Sequence, residues 1–260
     1  MAAHRARKRF GQHFLTDPGV IDAIIDAIHP TVDDTIVEIG PGQGAITATL
    51  ARTAGHLHAI ELDRDLAARL RADYSGAGNV TIHEADALAF DFSRLGRGLR
   101  IVGNLPYNIS TPLLFHLLAF RDSITDMHFM LQKEVVERIV AAPGSKAYGR
   151  LGIMLGCHLH AESLFDVGPE SFDPPPEVTS AVVRLDPLPP GTHEIRDERA
   201  LSTLVATAFN QRRKTLRNAL KKLVTDADIV AAGIDPGLRP EQVDIAAYIR
   251  LANRLPDKSG

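Results

Sequence analysis

The sequence predicts an α/β protein, a parallel sheet with helices on both faces to about residue 190, followed by a small all-helical domain. Three observations carry this. Over the first 180 residues, short β-branched runs alternate with helical patterns, the order that builds a parallel sheet covered by helices. Residues 186–191, Asp-Pro-Leu-Pro-Pro-Gly, hold three prolines in four positions, which continues neither a helix nor a central strand. Beyond that linker the β pattern stops. The 260 residues suit one large domain or a large one plus a small one, and the division falls at residues 1–190 and 191–260.

The strands read in order as 35–39 (TIVEI), 56–61 (HLHAIE), 80–85 (VTIHEA), 99–104 (LRIVGN), 126–131 (DMHFML) and 179–185 (TSAVVRL). Helical patterns lie between them at 44–55, 64–74, 111–120 and 133–142; in the last, Val135, Val136, Ile139 and Val140 recur at helical spacing. Helices are also expected over 197–209, 213–224, 226–233 and 240–254, with Asp235-Pro236-Gly237 as a break.

Composition excludes several classes. Hydrophobic residues make up 45% and charged residues 23%, the balance of an ordinary globular chain rather than a disordered or fibrous one. No apolar run approaches the roughly 18 residues of a membrane span, and the first residues, MAAHRARKRFGQHF, lack the apolar core of a signal peptide. A single cysteine, Cys157, forms no internal disulfide, which fits a reducing, cytoplasmic setting. It lies in the apolar stretch Ile153-Met154-Leu155-Gly156 and reads as a small buried hydrophobe.

Charge is unevenly placed. Arg5, Arg7, Lys8 and Arg9 crowd the first nine residues, and Arg212, Arg213, Lys214, Arg217, Lys221 and Lys222 crowd 212–222, with no acid in either stretch. Setting those ten aside leaves 19 of the 29 basic residues against all 32 acids. An acidic body with two basic segments suits a polyanionic partner held at defined places, although two solvated charge clusters would read the same way.

Glu38-Ile39-Gly40-Pro41-Gly42-Gln43-Gly44 follows a strand and opens a helix. Glycines there let the backbone approach a ligand, with helix N-terminal N–H groups facing it. The spacing is G-x-G-x-G rather than the dinucleotide G-x-G-x-x-G. Glu61 closes the next strand, 21 residues after Gly40, where a carboxylate accepts from both hydroxyls of a ribose. Asp86 follows the third strand, placed to accept from an adenine amino group. Any one of these acids alone reads as a loop charge or helix cap, but three successive strand ends carrying Gly, Glu and Asp point to a nucleoside site. No G-x-x-x-x-G-K-[ST] occurs, which disfavours phosphate-loop chemistry.

The fourth strand ends in Gly103-Asn104-Leu105-Pro106-Tyr107-Asn108-Ile109-Ser110. This turn offers an amide carbonyl on Asn104, the Leu105 main-chain carbonyl stiffened by Pro106, and the aromatic face of Tyr107. An exocyclic ring amine is a poor nucleophile because its lone pair is delocalised. Two acceptors on its N–H bonds favour a pyramidal nitrogen whose lone pair points at an electrophile, and Tyr107 would stack on the base. A proline turn beside a core tyrosine is the structural alternative.

With these motifs in view, the chain resembles the rRNA adenine N6-dimethyltransferase family, most closely its bacterial small-subunit branch. The likeness runs through Lys8–Leu15 (KRFGQHFL), Glu38–Gly44, Glu61-Leu62-Asp63, Asp86-Ala87, Asn104–Ser110, Leu131–Val135 (LQKEV), Ser145–Arg150 (SKAYGR), Phe172–Val178 (FDPPPEV) and Phe209–Lys214 (FNQRRK). It implies a Rossmann-like class I methyltransferase sheet and S-adenosylmethionine as methyl donor. It implies transfer of two methyls to each of two adjacent adenosines in the 3′-terminal hairpin loop of small-subunit (16S) rRNA, in a role tied to small-subunit biogenesis. By position, His13, Leu15, Gly40, Gly42, Glu61, Asp86 and Asn104 line the cofactor site; the place of His13 is often Asn in the family. Asn104, Leu105, Pro106 and Tyr107 form the reaction site, and Phe172 supplies a second aromatic face, so that an extruded base lies between two rings.

In Phe209–Leu220, cations alternate with Leu216, Ala219 and Leu220 at helical spacing, so one face can pack while Arg212, Arg213, Lys214 and Arg217 meet phosphates. Arg7, Lys8, Arg9 and Arg150 join that RNA-facing surface. The implied partners are small-subunit rRNA and a partly assembled 30S particle, with a monomeric enzyme and no membrane. Two alternatives remain: the related large-subunit rRNA methyltransferases, and a non-catalytic assembly factor on the same scaffold. The pairs His56/His58 and His158/His160 supply only two candidate ligands each, so no metal site is assigned.

Overall fold

Runs such as Thr35–Ile39 carry apolar side chains on both sides, so they are stable only inside a sheet covered on both faces. In the computed structural model, which describes residues 13–211 and 213–255, such runs form the centre of a seven-stranded sheet. The strands are β1 (Phe14–Leu15), β2 (Thr35–Ile39), β3 (His56–Glu61), β4 (Val80–Glu84), β5 (Leu99–Asn104), β6 (Ile124–Gln132), β7 (Leu159–Val167), β8 (Phe172–Asp173) and β9 (Ser180–Pro187). The large sheet runs β4-β3-β2-β5-β6-β9-β7, and β1 pairs with β8 in a small second sheet. Pairs β2–β3, β3–β4, β2–β5 and β5–β6 are parallel, and β6–β9 is antiparallel. Ile36, Val37, Leu57, Ile101 and Val102 are fully buried, each stabilising the fold by about 1.5–3 kcal/mol relative to exposure.

From β2 the chain winds outward through β3 and β4; with β5 it returns to the other side of β2 and continues through β6. The reversal between β2 and β5 leaves a crevice at the carboxyl ends of those strands, where open α/β sheets bind ligands. Gly103 makes the two strand ends meet closely: a Cβ there would lie 2.5 Å from the Ile39 carbonyl oxygen.

The helices are α1 (Pro18–Ile28), α2 (Thr47–Thr53), α3 (Arg64–Asp73), α4 (Ser110–Leu118), α5 (Lys133–Ile139), α6 (Arg150–Gly156), α7 (Glu198–Phe209), α8 (Leu216–Leu220), α9 (Asp226–Ala231) and α10 (Ile245–Ala252). Neither α1 nor α6 was expected. The start of α1 follows from local chemistry: the Asp17 side chain caps the Gly19 and Val20 N–H groups, and Pro18 occupies the first turn. It buries Ile24 and Ile28, which pack with Leu15, Ile36, Ile46, Val102 and Val182. The small sheet was missed because a two-residue strand carries too few positions to show a period.

The chain divides into two compact units. One takes the described residues up to Val136 together with Ala161–Pro187; the other takes Glu137–His160 together with the described residues from Leu188 onward. The linker expected at 186–191 therefore begins two residues later, because Asp186 and Pro187 complete β9. The expected helical domain of 191–260 also gains residues 137–160. Their Tyr148, Ile153, Met154 and Cys157 pack with Leu201, Leu204, Leu216, Leu220 and Tyr248 in one apolar core. Cys157 is buried there, and burial pushes its thiol up to about 12, the inert hydrophobe expected of it. Among the described residues no helix is long and apolar enough to cross a membrane.

Candidate active site

A single cavity gathers the carboxyl ends of β2, β3 and β5, the turn after β4, and the segment around β1; it is lined by His13, Gly40, Glu61, Asp86, Asn104 and Tyr107 among others. The glycine turn enters it in left-handed backbone, with φ of 68° at Gly40 and 57° at Gly42. A Cβ at Gly42 would lie 3.2 Å from the Phe14 ring, so both conformation and space restrict this position to glycine.

Glu61 is 6% exposed. Its Oε2 accepts from the Gly42 N–H at 3.1 Å and its Oε1 from the Asp63 N–H at 2.8 Å. Burial raises its carboxyl above the ordinary range, and the backbone donors oppose the rise. The carboxylate thus ties the glycine turn to the end of β3. Asp86 is exposed at the rim, its Oδ1 accepting from the Leu88 N–H at 2.9 Å.

Asn104 ends β5, and its Nδ2 donates to the His13 main-chain carbonyl at 3.1 Å. Spending the amide N–H there leaves Oδ1 as the end available to accept from a substrate. The Leu105 N–H donates to the Met130 carbonyl, which anchors the turn to β6. The Tyr107 hydroxyl is hydrogen-bonded to Ser180 Oγ at 2.8 Å, and its main-chain carbonyl accepts from Ser110 Oγ at 3.0 Å. Burial pushes the phenol up, so it stays neutral. Nothing in the sequence marks Ser180, because a lone serine at the start of a strand gives no signal of its partner.

Phe172 departs from the sequence expectation. It was expected as an open aromatic face, but it is 4% exposed and packs with Leu15, Ile24 and Val167. It is not among the cavity-lining residues. The reason is the pairing of Leu15 with Phe172 in the small sheet, which turns both side chains toward the core. Phe172→Ala is therefore expected to destabilise the protein by about 3–5 kcal/mol, read by denaturant unfolding. Lost turnover at unchanged stability would restore the open-face role.

Glu38 belongs to the glycine motif, and among the described cavity-lining groups its pKa is the furthest displaced. It is 1% exposed, lines the cavity, and among the described residues its Oε2 has no hydrogen-bond partner. Burial pushes its carboxyl up from 4.5 to about 8, the Thr47 hydroxyl opposing this and Glu61 adding to it. A charge inside the apolar run TIVEI was the available signal. The folded protein keeps this proton where an unfolded chain releases it, so stability falls as pH rises between about 4.5 and 8. His58 works the other way at lower pH: burial, then His56 and His83, lower its pKa from 6.5 to about 4. The Glu38 effect is thus cleanest above pH 6.5. Melting temperatures from pH 6.5 to 8 should fall in wild type and stay flat in Glu38→Gln, which should also be the more stable at pH 7.5; parallel curves would contradict the assignment.

The remaining site expectations concern RNA. Arg150, Arg213, Lys214 and Arg217 are exposed. Arg150 reaches Ser202 Oγ at 3.4 Å, and Arg217 pairs with Asp226 at 2.7 Å, so Arg217 meets a phosphate only by exchanging one anion for another. Arg7, Lys8, Arg9 and Arg212 lie outside the described residues.

Glycine backbone and the carboxyl groups of Glu61 and Asp86 meet in this crevice, a set of groups that suits a positively charged nucleoside cofactor. Fold and crevice together are those of a Rossmann-like protein with a nucleoside-type site at its strand ends. The chain belongs to the ribosomal RNA adenine dimethylase family, whose pattern it matches over residues 3–257. It is 57% identical over 259 residues to ribosomal RNA small subunit methyltransferase A of Aromatoleum aromaticum, covering 100% of this chain and 97% of the relative. To the protein of that name in Dechloromonas aromatica it is also 57% identical, over 98% and 100% of the two chains. Among solved structures it resembles a dimethyladenosine transferase from Plasmodium falciparum, with a TM-score of 0.80 and 27% identity over 92% of this chain and 96% of that one. The 23S rRNA methyltransferase ErmE follows with a TM-score of 0.74 and 25% identity over 93% and 99%.

Proposed function

We propose that the protein transfers methyl groups from S-adenosylmethionine to the N6 amines of two adjacent adenosines in the 3′-terminal hairpin loop of small-subunit rRNA, leaving each dimethylated. The observation that carries this reading is the oriented Asn104 amide. With Nδ2 committed to the His13 carbonyl, Oδ1 and the Leu105 carbonyl are two acceptors on one rigid turn, which suits a donor with two N–H bonds. High identity to relatives named for the small subunit supports that subunit as the source of the substrate.

When bound, the cofactor supplies an electrophilic methyl on a sulfonium. The chain's own contribution is placement. Glu61 would hold the ribose hydroxyls and Asp86 an amino group at the rim, and the Gly40 and Gly42 backbone leaves room for the nucleoside. His13 and Leu15 border the same space. Asn104 and Leu105 draw the N6 lone pair out of the ring, and Tyr107 fixes the base plane. Transfer of that methyl would leave a neutral thioether on the departing cofactor, and the amine, acidified by its new methyl, would release a proton to water. Positioning and exclusion of water account for the acceleration.

Exposed Arg150, Arg213 and Lys214 supply the phosphate contacts, with Arg217 joining after release from Asp226. The substrate is a partly assembled small subunit, the working unit a single chain and the setting the cytoplasm. Mass-spectrometric mapping of rRNA from cells lacking the protein, with and without a restored copy, tests it. The expected result is loss and return of two dimethyladenosines near the 3′ end of small-subunit rRNA. Changes confined to large-subunit rRNA, or no change, would overturn it; in the latter case a labelled-methyl transfer assay distinguishes a non-catalytic assembly factor.

A further inference from the structure

Two serine hydroxyls hold Tyr107, each at a different end. Ser110 lies three residues on, and its Oγ donates to the Tyr107 main-chain carbonyl, which fixes the backbone of the turn but not the tilt of the ring. Ser180, 73 residues away in sequence, bonds the phenol hydroxyl at 2.8 Å. The torsion that turns a tyrosine ring has broad wells, so a bond at the far end of the ring is what sets the angle of its face. Buried tyrosine hydroxyls generally take such a partner; here the partnered ring also lines the cavity beside Asn104 and Leu105.

The sheet explains how this serine reaches the site. Parallel strands deliver their carboxyl ends to the crevice. β9 runs antiparallel to β6, with Ser180 opposite Gln132, so it delivers its first residue there instead. The Thr179 carbonyl, accepting from the Lys133 N–H at 3.0 Å, holds that end of the strand to the end of β6. Ser180 is fully buried and is not among the cavity-lining residues. It bears on the cavity through the Tyr107 ring.

An adenine amine brings two N–H bonds to the Asn104 and Leu105 acceptors for the first transfer and one for the second. Alignment of the monomethylated base therefore falls more on the ring against which it stacks, and an error in ring angle costs most in that step. We infer that Ser180 is a positioning residue that fixes the Tyr107 ring for the second methyl transfer, so that the product is dimethyladenosine rather than the monomethylated base. This deepens the proposed adenine methylation and rests on it.

The test is single turnover of the full chain with S-adenosylmethionine on small subunits from cells lacking the protein, with adenosine, monomethyladenosine and dimethyladenosine followed by mass spectrometry. Ser180→Ala should slow the second transfer by about fivefold, the scale of one hydrogen bond between neutral groups. The first transfer should slow by less than about twofold, so that monomethyladenosine accumulates. Tyr107→Phe keeps the ring and removes the same bond from its other partner. It should accumulate monomethyladenosine to the same extent, and the double variant should do no worse than either single one. A serine that only filled the core would slow both steps alike, through loss of folded protein. Equal slowing of the two steps, no slowing, or additive losses in the double variant each overturns the inference. If Ser180→Ala does not fold, Tyr107→Phe decides alone: a selectively slowed second step supports the role, and equal or absent slowing overturns it. If wild type transfers no methyl to adenine in these subunits, the adenine reading itself fails, and that outcome is separate from the others.

Discussion

Asn104→Ala is expected to slow the first methyl transfer by about 10²–10³-fold, the usual loss when one preorganised polar group at a reacting centre is removed. The substitution deletes Oδ1, one of the two acceptors on the N6 amine, and frees the His13 carbonyl, which now accepts from Nδ2. Leu105 keeps its place, because its N–H remains bonded to the Met130 carbonyl; one acceptor survives. Cofactor affinity should change far less than rate, since Gly42 and Glu61 are bonded to each other rather than to Asn104. The second transfer should suffer less than the first. After one methylation only one N–H remains, so one acceptor has already lost its donor and stacking carries more of the alignment. Single-turnover measurement of the two steps decides this: a second step slowed at least as much as the first would show that the acceptor pair works equally in both.

The other large effect is expected at Glu61. Glu61→Ala should weaken S-adenosylmethionine binding by about 10- to 150-fold, from the roughly 1.5–3 kcal/mol of a hydrogen bond to a charged group. Two losses combine. The ribose loses its acceptor, and the Gly42 and Asp63 N–H groups lose theirs, so the glycine turn is no longer tied to β3. Glu61→Gln keeps one acceptor oxygen and should fall between wild type and alanine. Calorimetric titration with the cofactor measures both, and a dissociation constant within twofold of wild type in Glu61→Ala would remove Glu61 from the ribose role.

Much of the fold was legible because its strands are buried on both faces. Runs such as TIVEI and LRIVGN are continuous enough in β-branched residues that β2, β3 and β5 have the expected bounds. Elements whose identity comes from partners were not legible. The α6 sequence Arg150–Gly156 includes two glycines and fits a helix only against its core neighbours. β7, with the sequence LHAESLFDV, mixes exposed polar and apolar residues and is a strand because β9 lies beside it. At the site, Gly40, Gly42, Glu61, Asp86 and Asn104–Tyr107 were readable because parallel strands deliver their carboxyl ends to one crevice. The burial of Phe172 and of Glu38 was not readable, because each depends on which way a side chain faces.

Residue type and spacing sufficed for the alternation of strands and helices, the chemical groups at the strand ends, and the basic stretches set against an acidic body. These are properties of residue type and spacing, which the chain carries whether folded or not. Tertiary packing alone sets the burial of Phe172, the nearness of the His13 and Tyr107 rings, the hydrogen bond from the Asn104 amide to the His13 carbonyl, and the place of residues 137–160 in the helical unit. Those outcomes depend on pairings distant in sequence, Leu15 with Phe172 and His13 with Asn104, and contacts of that kind acquire their energy only once packing has excluded water from both partners.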